Sequence, residues 1–253
     1  MIIGINGKIG SGKDTIGKII QYLTANEEVK KITTLEEWLD SDDLNGRDFN
    51  WKIKKFAGKL KQIASLLTGI SVEKFEDQEF KKTYLGKEWN SPYNIPFSGP
   101  DFVKHDGEAT VREFLQRLGT EAMRDGLHTN VWVNALFADY KDVYIGDWGQ
   151  GNHMYEKPNW IITDMRFPNE MEAVVEKKGI TIRVSRHPIN LKINGEMLHT
   201  TQEDYNTYVT KRKEHPSETA LDDTVFDYEI ENNGSIEDLV EKVREILIKE
   251  NII

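Results

Sequence analysis

The residues with the clearest capacity for chemistry are Gly7-Lys8-Ile9-Gly10-Ser11-Gly12-Lys13-Asp14-Thr15. Their Gly-x4-Gly-Lys core has the spacing of a phosphate-binding loop. Glycines let backbone N–H groups turn inward around a polyphosphate, and a following helix adds the positive end of its dipole. Lys13 supplies a cation for the β- and γ-phosphates. Asp14 stands where Ser or Thr normally touches magnesium. A carboxylate there can hold the ion directly, hold it through water, or orient Lys13, which leaves Thr15 to contact a phosphate.

A second group is Asp164-Met165-Arg166-Phe167-Pro168-Asn169-Glu170. Asp164 ends an apolar run and is suited to magnesium, directly or through water. Arg166 and Glu170 lie four apart, so a helix containing both would place them on one face. Glu170 can then orient Arg166 or accept a sugar hydroxyl; the plainer reading is a surface ion pair at a helix start. Arg112, Gln116 and Thr120 also recur every four residues, which on a helix makes one polar face. Arg112 can clamp a phosphate and Gln116 can bond a base edge. Solvated helix polarity accounts for the same pattern. Arg183 and Arg186 bracket a strand end and suit either a cationic lid or a basic surface loop. His215 has no metal-spaced partner and reads as a loop histidine. Asn232, Asn233 and Gly234 end a predicted strand and can present amide and backbone groups to an adenine edge, or simply make a turn.

These residues need elements to hold them. Ile2–Ile5 is a short β-branched run closed by Asn6-Gly7, read as a buried strand. Helical spacing follows over 14–25, with Ile16, Ile19, Ile20 and Leu23 on one face. Acidic residues 33–50 read as a short helix and surface loop. A strand over 51–56 precedes a helix with Leu60, Ile63, Ala64 and Leu67 as its buried stripe. Prolines and glycines make 86–107 a long loop. Helices are predicted over 109–126 and 130–140, and a loop or hairpin over 141–159. Further strands are predicted at 160–164, 180–184 and 225–230, with helices ending near Val175 and spanning 236–248, the latter capped by Ser235 and Asp238. Strands alternating with helices imply an α/β fold whose mostly parallel sheet is covered on both faces.

Composition sets outer limits. The chain has 253 residues, 38% of them hydrophobic, and 43 acidic against 33 basic side chains give a net charge of −10. Such a charge disfavours nucleic acid or an anionic membrane as partner. With no cysteine, thiolate nucleophiles, disulfides and cysteine-bound zinc are excluded. No apolar stretch approaches the roughly 20 residues of a membrane span, and the amino terminus lacks signal-peptide order. A soluble cytoplasmic protein is expected.

Taken together, the 7–15 loop ending Gly-Lys-Asp-Thr, Phe56-Ala57 with Leu60-Lys61, the Arg112–Thr120 run and Asp164-x-Arg166-x3-Glu170 resemble the deoxynucleoside monophosphate kinases of tailed bacteriophages. Arg186, His215-x-Ser217-Glu218 and Asn232-Asn233-Gly234-Ser235 extend the resemblance towards the carboxyl terminus. It implies a P-loop kinase fold that transfers the ATP γ-phosphoryl group to deoxynucleoside monophosphates (dNMPs), yielding diphosphates for phage DNA synthesis. It makes Asp14 a family feature. Lys13, Asp14, Thr15, Asp164 and Arg166 would serve transfer and Mg2+, with Gly10, Ser11, Gly12, Asn233 and Gly234 completing the ATP site. Phe56, Arg112, Gln116, Thr120, Trp148, Arg166, Glu170 and Arg186 would surround the acceptor. One P-loop kinase domain is expected over 1–253, with its core at about 1–32, 51–70, 158–186 and 224–253. Insertions would supply an acceptor-binding helical region at 71–157 and a lid at 187–219. A homodimer with the 131–140 helix as apolar contact is a further expectation.

The chemistry agrees without the resemblance. Phosphoryl transfer to a phosphate dianion needs positioning and charge neutralisation, not a strong base. The alternatives are another small-molecule kinase, of the phosphomevalonate or dephospho-coenzyme A type, and a nucleotide-dependent switch. A dNMP-stimulated release of ADP separates the first reading from both.

Overall fold

The computed structural model describes residues 1–8, 10–41, 50–90, 109–147, 153–186, 191–193, 196–198 and 219–253. Elements follow in chain order. Strand β1 (Ile2–Gly7) leads into helices α1 (Lys13–Leu23), α2 (Glu27–Ile32) and α3 (Leu35–Asp40), then strand β2 (Trp51–Lys54). Helix α4 (Phe56–Thr68), three short 3-10 turns, α5 (Val111–Arg117), a π-helical stretch (Leu118–Asp125) and α6 (Val131–Phe137) come next. Strands β3 (Val143–Asp147), β4 (His153–Glu156) and β5 (Asn159–Met165) precede α7 (Pro168–Glu176) and β6 (Ile180–Ser185). The short pair β7 (Leu191–Ile193) and β8 (Glu196–Leu198), strand β9 (Tyr228–Glu231) and helix α8 (Ile236–Lys249) complete the set.

The described residues fall into two compact units, 56–138 in one and the remainder in the other. The larger is built on a five-strand sheet in the order β2-β5-β1-β6-β9, parallel throughout. Because strand side chains alternate between faces, Ile3 and Ile5 of the central β1 point to one side. There they meet Ile16, Ile19, Ile20 and Leu23 of α1 and Leu239, Val243, Ile246 and Leu247 of α8, all buried. Each such side chain contributes about 1.5–3 kcal/mol when fully withdrawn from water. Helix α7, with Ala173 and Val174 buried, packs on β1 and β6 from the other face, where Val174 lies over Gly4. The architecture is α/β with helices flanking a parallel sheet, consistent with a P-loop kinase-like fold.

Helix α8 starts on a capping box: the Ser235 hydroxyl accepts from the Asp238 amide and the Asp238 carboxylate from the Ser235 amide. Segment 141–159 holds an antiparallel hairpin, β3 with β4. Several boundaries differ from the sequence reading. The second strand stops at Lys54, and Phe56 opens α4 instead of closing β2. The last strand starts at Tyr228 rather than Val225, which is 86% exposed.

In the smaller unit, Ala64, Phe75, Val111 and Leu115 form a buried cluster with Leu60, Ile70, Phe80, Leu85, Phe114 and Leu118 packed against it. The expected α4 stripe is only partly right. Ala64 is buried, but Leu67 is 51% exposed and Lys61 is 7% exposed instead. The Lys61 ammonium meets the Glu76 carboxylate at 2.5 Å, which compensates the cost of burying its charge. The helix predicted over 109–126 changes to π-helical bonding at Leu118. That widening turns Ala122 to the surface and leaves the Gly119 carbonyl as acceptor for the Trp132 indole N–H at 2.8 Å. Trp132, Val133 and Leu136 of α6 are buried inside this unit, so the apolar residues proposed for a dimer contact already serve its core.

Candidate active site at the carboxyl ends of the parallel strands

In open parallel sheets ligands gather beyond the carboxyl ends of the strands. Here that edge carries the loop after β1, Lys55 after β2, Asp164 and Arg166 at the end of β5, Arg186 after β6, and Asn232 after β9. The loop itself is held open by glycine. Gly12 sits at φ +97° as the N-cap of α1, a left-handed conformation that costs other residues strain. A Cβ there would lie 2.3 Å from Asn232 Nδ2, and one at Gly7 would lie 2.4 Å from Ser11 Oγ. Gly12, as N-cap, has no side chain to bond the first turn of α1, and the amides of a helix start suit an anion.

The loop is fixed from two sides. The Ser11 amide donates to the Lys8 carbonyl at 3.1 Å, and Asn232 Nδ2 donates to the Ser11 carbonyl at 2.9 Å. The Asn232 amide in turn donates to Ser185 O at the end of β6, at 2.8 Å. Ser11 is 4% exposed, and its hydroxyl has no partner among the described residues. A buried hydroxyl is normally bonded; this one sits within the glycine loop, beside Gly7. Lys13 is 8% exposed, and its Nζ rests on the Lys8 carbonyl at 3.3 Å. Thr15 is half-buried in the first turn of α1.

Asp14 has a more elaborate setting than its sequence suggested. Its Oδ1 accepts from the Thr163 hydroxyl at 2.8 Å and meets Lys55 Nζ at 3.1 Å. Thr163 is completely buried in β5, so this bond ties the strand end to the first turn of α1. No described residue bonds Oδ2 of Asp14. Burial pushes the carboxyl pKa up, but the Lys55 charge, the hydrogen bonds from Thr163 and Lys55, and the Lys13 charge outweigh it. The net direction is below the ordinary carboxylate value, so Asp14 is an anion at neutral pH.

Asp164 is half-buried beside Thr163. Helix α7 begins only at Pro168, so Arg166 and Glu170 do not share a helix face. Instead Glu170, 4% exposed, accepts from the amides of Arg166 at 2.7 Å and Phe167 at 3.1 Å. One carboxylate oxygen thus caps α7 and sets the backbone from which Arg166 projects. Arg183 does not serve as a lid: it stacks on Phe226 at 4.4 Å and donates to the carbonyls of Leu221 and Asp222. Arg186 is exposed. Asn233 is half-buried and Gly234 exposed, while the neighbouring Asn232 makes the recorded bond to the loop.

Phe56, Arg112, Gln116 and Thr120 belong to the smaller unit. Phe56 is 3% exposed, edge-on to Phe137 at 6.2 Å, so its ring is part of that unit's interior. Arg112 donates to Gln78 Oε1 at 3.1 Å. Gln116 is half-buried on α5; Thr120 is in the π-helical stretch, whose wider turn breaks the four-residue register with it. Trp89 packs edge-on to Phe114 at 4.8 Å. Trp148, Lys211, His215, Ser217, Glu218 and most of 187–219 lie outside the described residues, as do 42–49 and 91–108.

Sequence reasoning singled out neither Thr163 nor Lys55, and it gave Asn232 to an adenine edge or a turn, not to the loop that it bonds. Thr163 reads only as part of the strand that ends at Asp164, and Lys55 only as part of the strand over 51–56. Among the described residues no three His, Asp or Glu side chains cluster to hold a metal. No described helix is long and apolar enough to cross a membrane.

Comparison with known proteins places this geometry. The family model described as deoxynucleotide monophosphate kinase matches residues 38–243. That range starts after the glycine loop and takes in Asp164, Arg166, Glu170 and Asn232. The deoxynucleoside-5'-monophosphate kinase of Escherichia phage T5 is 21% identical over 257 residues, covering 92% of this chain and 89% of the relative. With the family match extending over most of its length, the chain belongs to the deoxynucleotide monophosphate kinase family.

Proposed function

We propose that this kinase transfers the γ-phosphoryl group of ATP directly to deoxynucleoside monophosphates, with magnesium, supplying diphosphates for phage DNA synthesis. The carrying observation is the start of α1: Gly12, in a left-handed conformation, opens the loop onto it, and the buried Ser11 hydroxyl has no partner among the described residues. Amides at 10–13, the Ser11 hydroxyl and Lys13 would hold the donor phosphates, and Thr15 would contact one of them. Asp14, ionised and with Oδ2 unbonded by any described residue, would hold magnesium, with Asp164 acting through water. The ion, when bound, supplies charge neutralisation at the phosphates.

Arg166 would neutralise charge on the transferring group from the loop that Glu170 fixes. By the family resemblance Arg112 and Gln116 would bind the acceptor's phosphate and base, and Asn233 and Gly234 the donor's base. No general base is needed, because the acceptor oxygen is already anionic. A coupled ADP-release assay with ATP and each dNMP tests the reading, with ribonucleotides, phosphomevalonate and dephospho-coenzyme A as comparison acceptors. Stimulation by one or more dNMPs is expected. Equal ADP release with and without every dNMP would overturn it.

A further inference from the structure

Lys55 is the unassigned charge closest to the proposed chemistry. It follows β2 directly, its side chain is 32% exposed, and its Nζ lies 3.1 Å from Asp14 Oδ1. An exposed ion pair of this kind is ordinarily worth little, but its surroundings are not ordinary. The carboxylate it meets is the one proposed to hold magnesium, and Thr163 anchors the same oxygen from a completely buried position. Lys13, in the same first turn of α1 as Asp14, adds a second positive charge at this strand edge.

We propose that Lys55 is a counter-ion exchanged at the metal carboxylate. In the nucleotide-free protein its ammonium neutralises Asp14. When a divalent cation engages that carboxylate, like-charge repulsion drives the ammonium from Oδ1, and it moves to the donor phosphates. Thr163, neutral and buried, stays on Oδ1 throughout and keeps Asp14 in place. Lys55 therefore opposes metal entry while strengthening the hold on phosphate. This rests on the proposed roles of Asp14 and the glycine loop.

The test is binding, so it does not depend on which acceptor is phosphorylated. ADP affinity of the full chain is measured by calorimetry in EDTA and across a magnesium titration, for wild type, Lys55→Met and Lys55→Arg, with thermal unfolding as a fold control. Lys55→Met should bind metal-free ADP about threefold to tenfold more weakly, yet reach half-maximal magnesium enhancement at about threefold lower ion concentration. Lys55→Arg should stay near wild type in both. Unchanged values in Lys55→Met, or a raised magnesium requirement, would overturn the exchange. Failure of the dNMP assay with these binding shifts intact would refute the acceptor assignment and leave the role of Lys55 standing.

Discussion

Asp14 shows how far a single side chain depends on its neighbours. The motif places a carboxylate where a hydroxyl is usual, and the fold supplies the hydroxyl from Thr163, 2.8 Å away. Lys55 and Lys13 keep that carboxylate ionised against the pull of burial. Asp14→Asn keeps the shape and the acceptor for Thr163 but removes the charge. Turnover should fall by about 100-fold or more, in line with loss of a preorganised electrostatic group. The thermal midpoint should move by only a few degrees. A coupled assay across a magnesium titration checks this, and wild-type turnover at any ion concentration would contradict it. The glycines, Lys13 and Asp14 were readable from spacing alone, because their motif is contiguous in the chain. The bonds that Thr163 and Asn232 make were not, since their partners lie 149 and 221 residues away.

Glu170 is where one element decides the behaviour of another. It was read as a partner of Arg166 on a helix face, and its carboxylate instead caps α7 and fixes the amides of Arg166 and Phe167. The difference arises because Pro168 starts the helix, so Arg166 falls outside it. Glu170→Ala should cost about 1–2 kcal/mol in urea unfolding, the range for a lost cap with amides left unpaired, and should also slow turnover. Arg166→Ala should slow turnover with unfolding within about 0.5 kcal/mol of wild type, as expected for a partly exposed residue if its proposed role at the transferring group is right. Equal stability of Glu170→Ala and wild type would remove the capping argument. A similar displacement occurs at α5: four-residue spacing placed Arg112, Gln116 and Thr120 on one face, and the π-helical stretch from Leu118 breaks that register. Periodicity reads regular helices well and is blind to a change of hydrogen-bonding step.

The larger unit is closed at its carboxyl-terminal edge by β9 and α8, where Tyr228 donates to Glu250 and Lys249 lies over the Tyr228 ring at 4.8 Å. The hydrogen bond to Glu250, burial, and the charges of Glu250 and Asp227 push the Tyr228 pKa up to about 12. A phenol whose pKa is raised on folding contributes stability that is complete below its unfolded value of about 10 and is lost as pH rises through 12. Urea midpoints should therefore fall more steeply between about pH 10 and 12 for wild type than for Tyr228→Phe. Parallel slopes for the two proteins would show that the bond does not couple to stability.

The sequence by itself determined the α/β alternation, the glycine loop and the family resemblance. These are carried by local patterns: β-branched runs, helical spacing and contiguous motifs. Only the tertiary structure decided what completes the site. It put Thr163 and Lys55 on Asp14, Asn232 under the loop, Glu170 behind Arg166 and Phe56 into an interior. The reason is that a parallel sheet gathers strand ends from distant parts of the chain at one edge. The order β2-β5-β1-β6-β9, which selects those neighbours, is set by packing between elements and leaves no mark in any single segment.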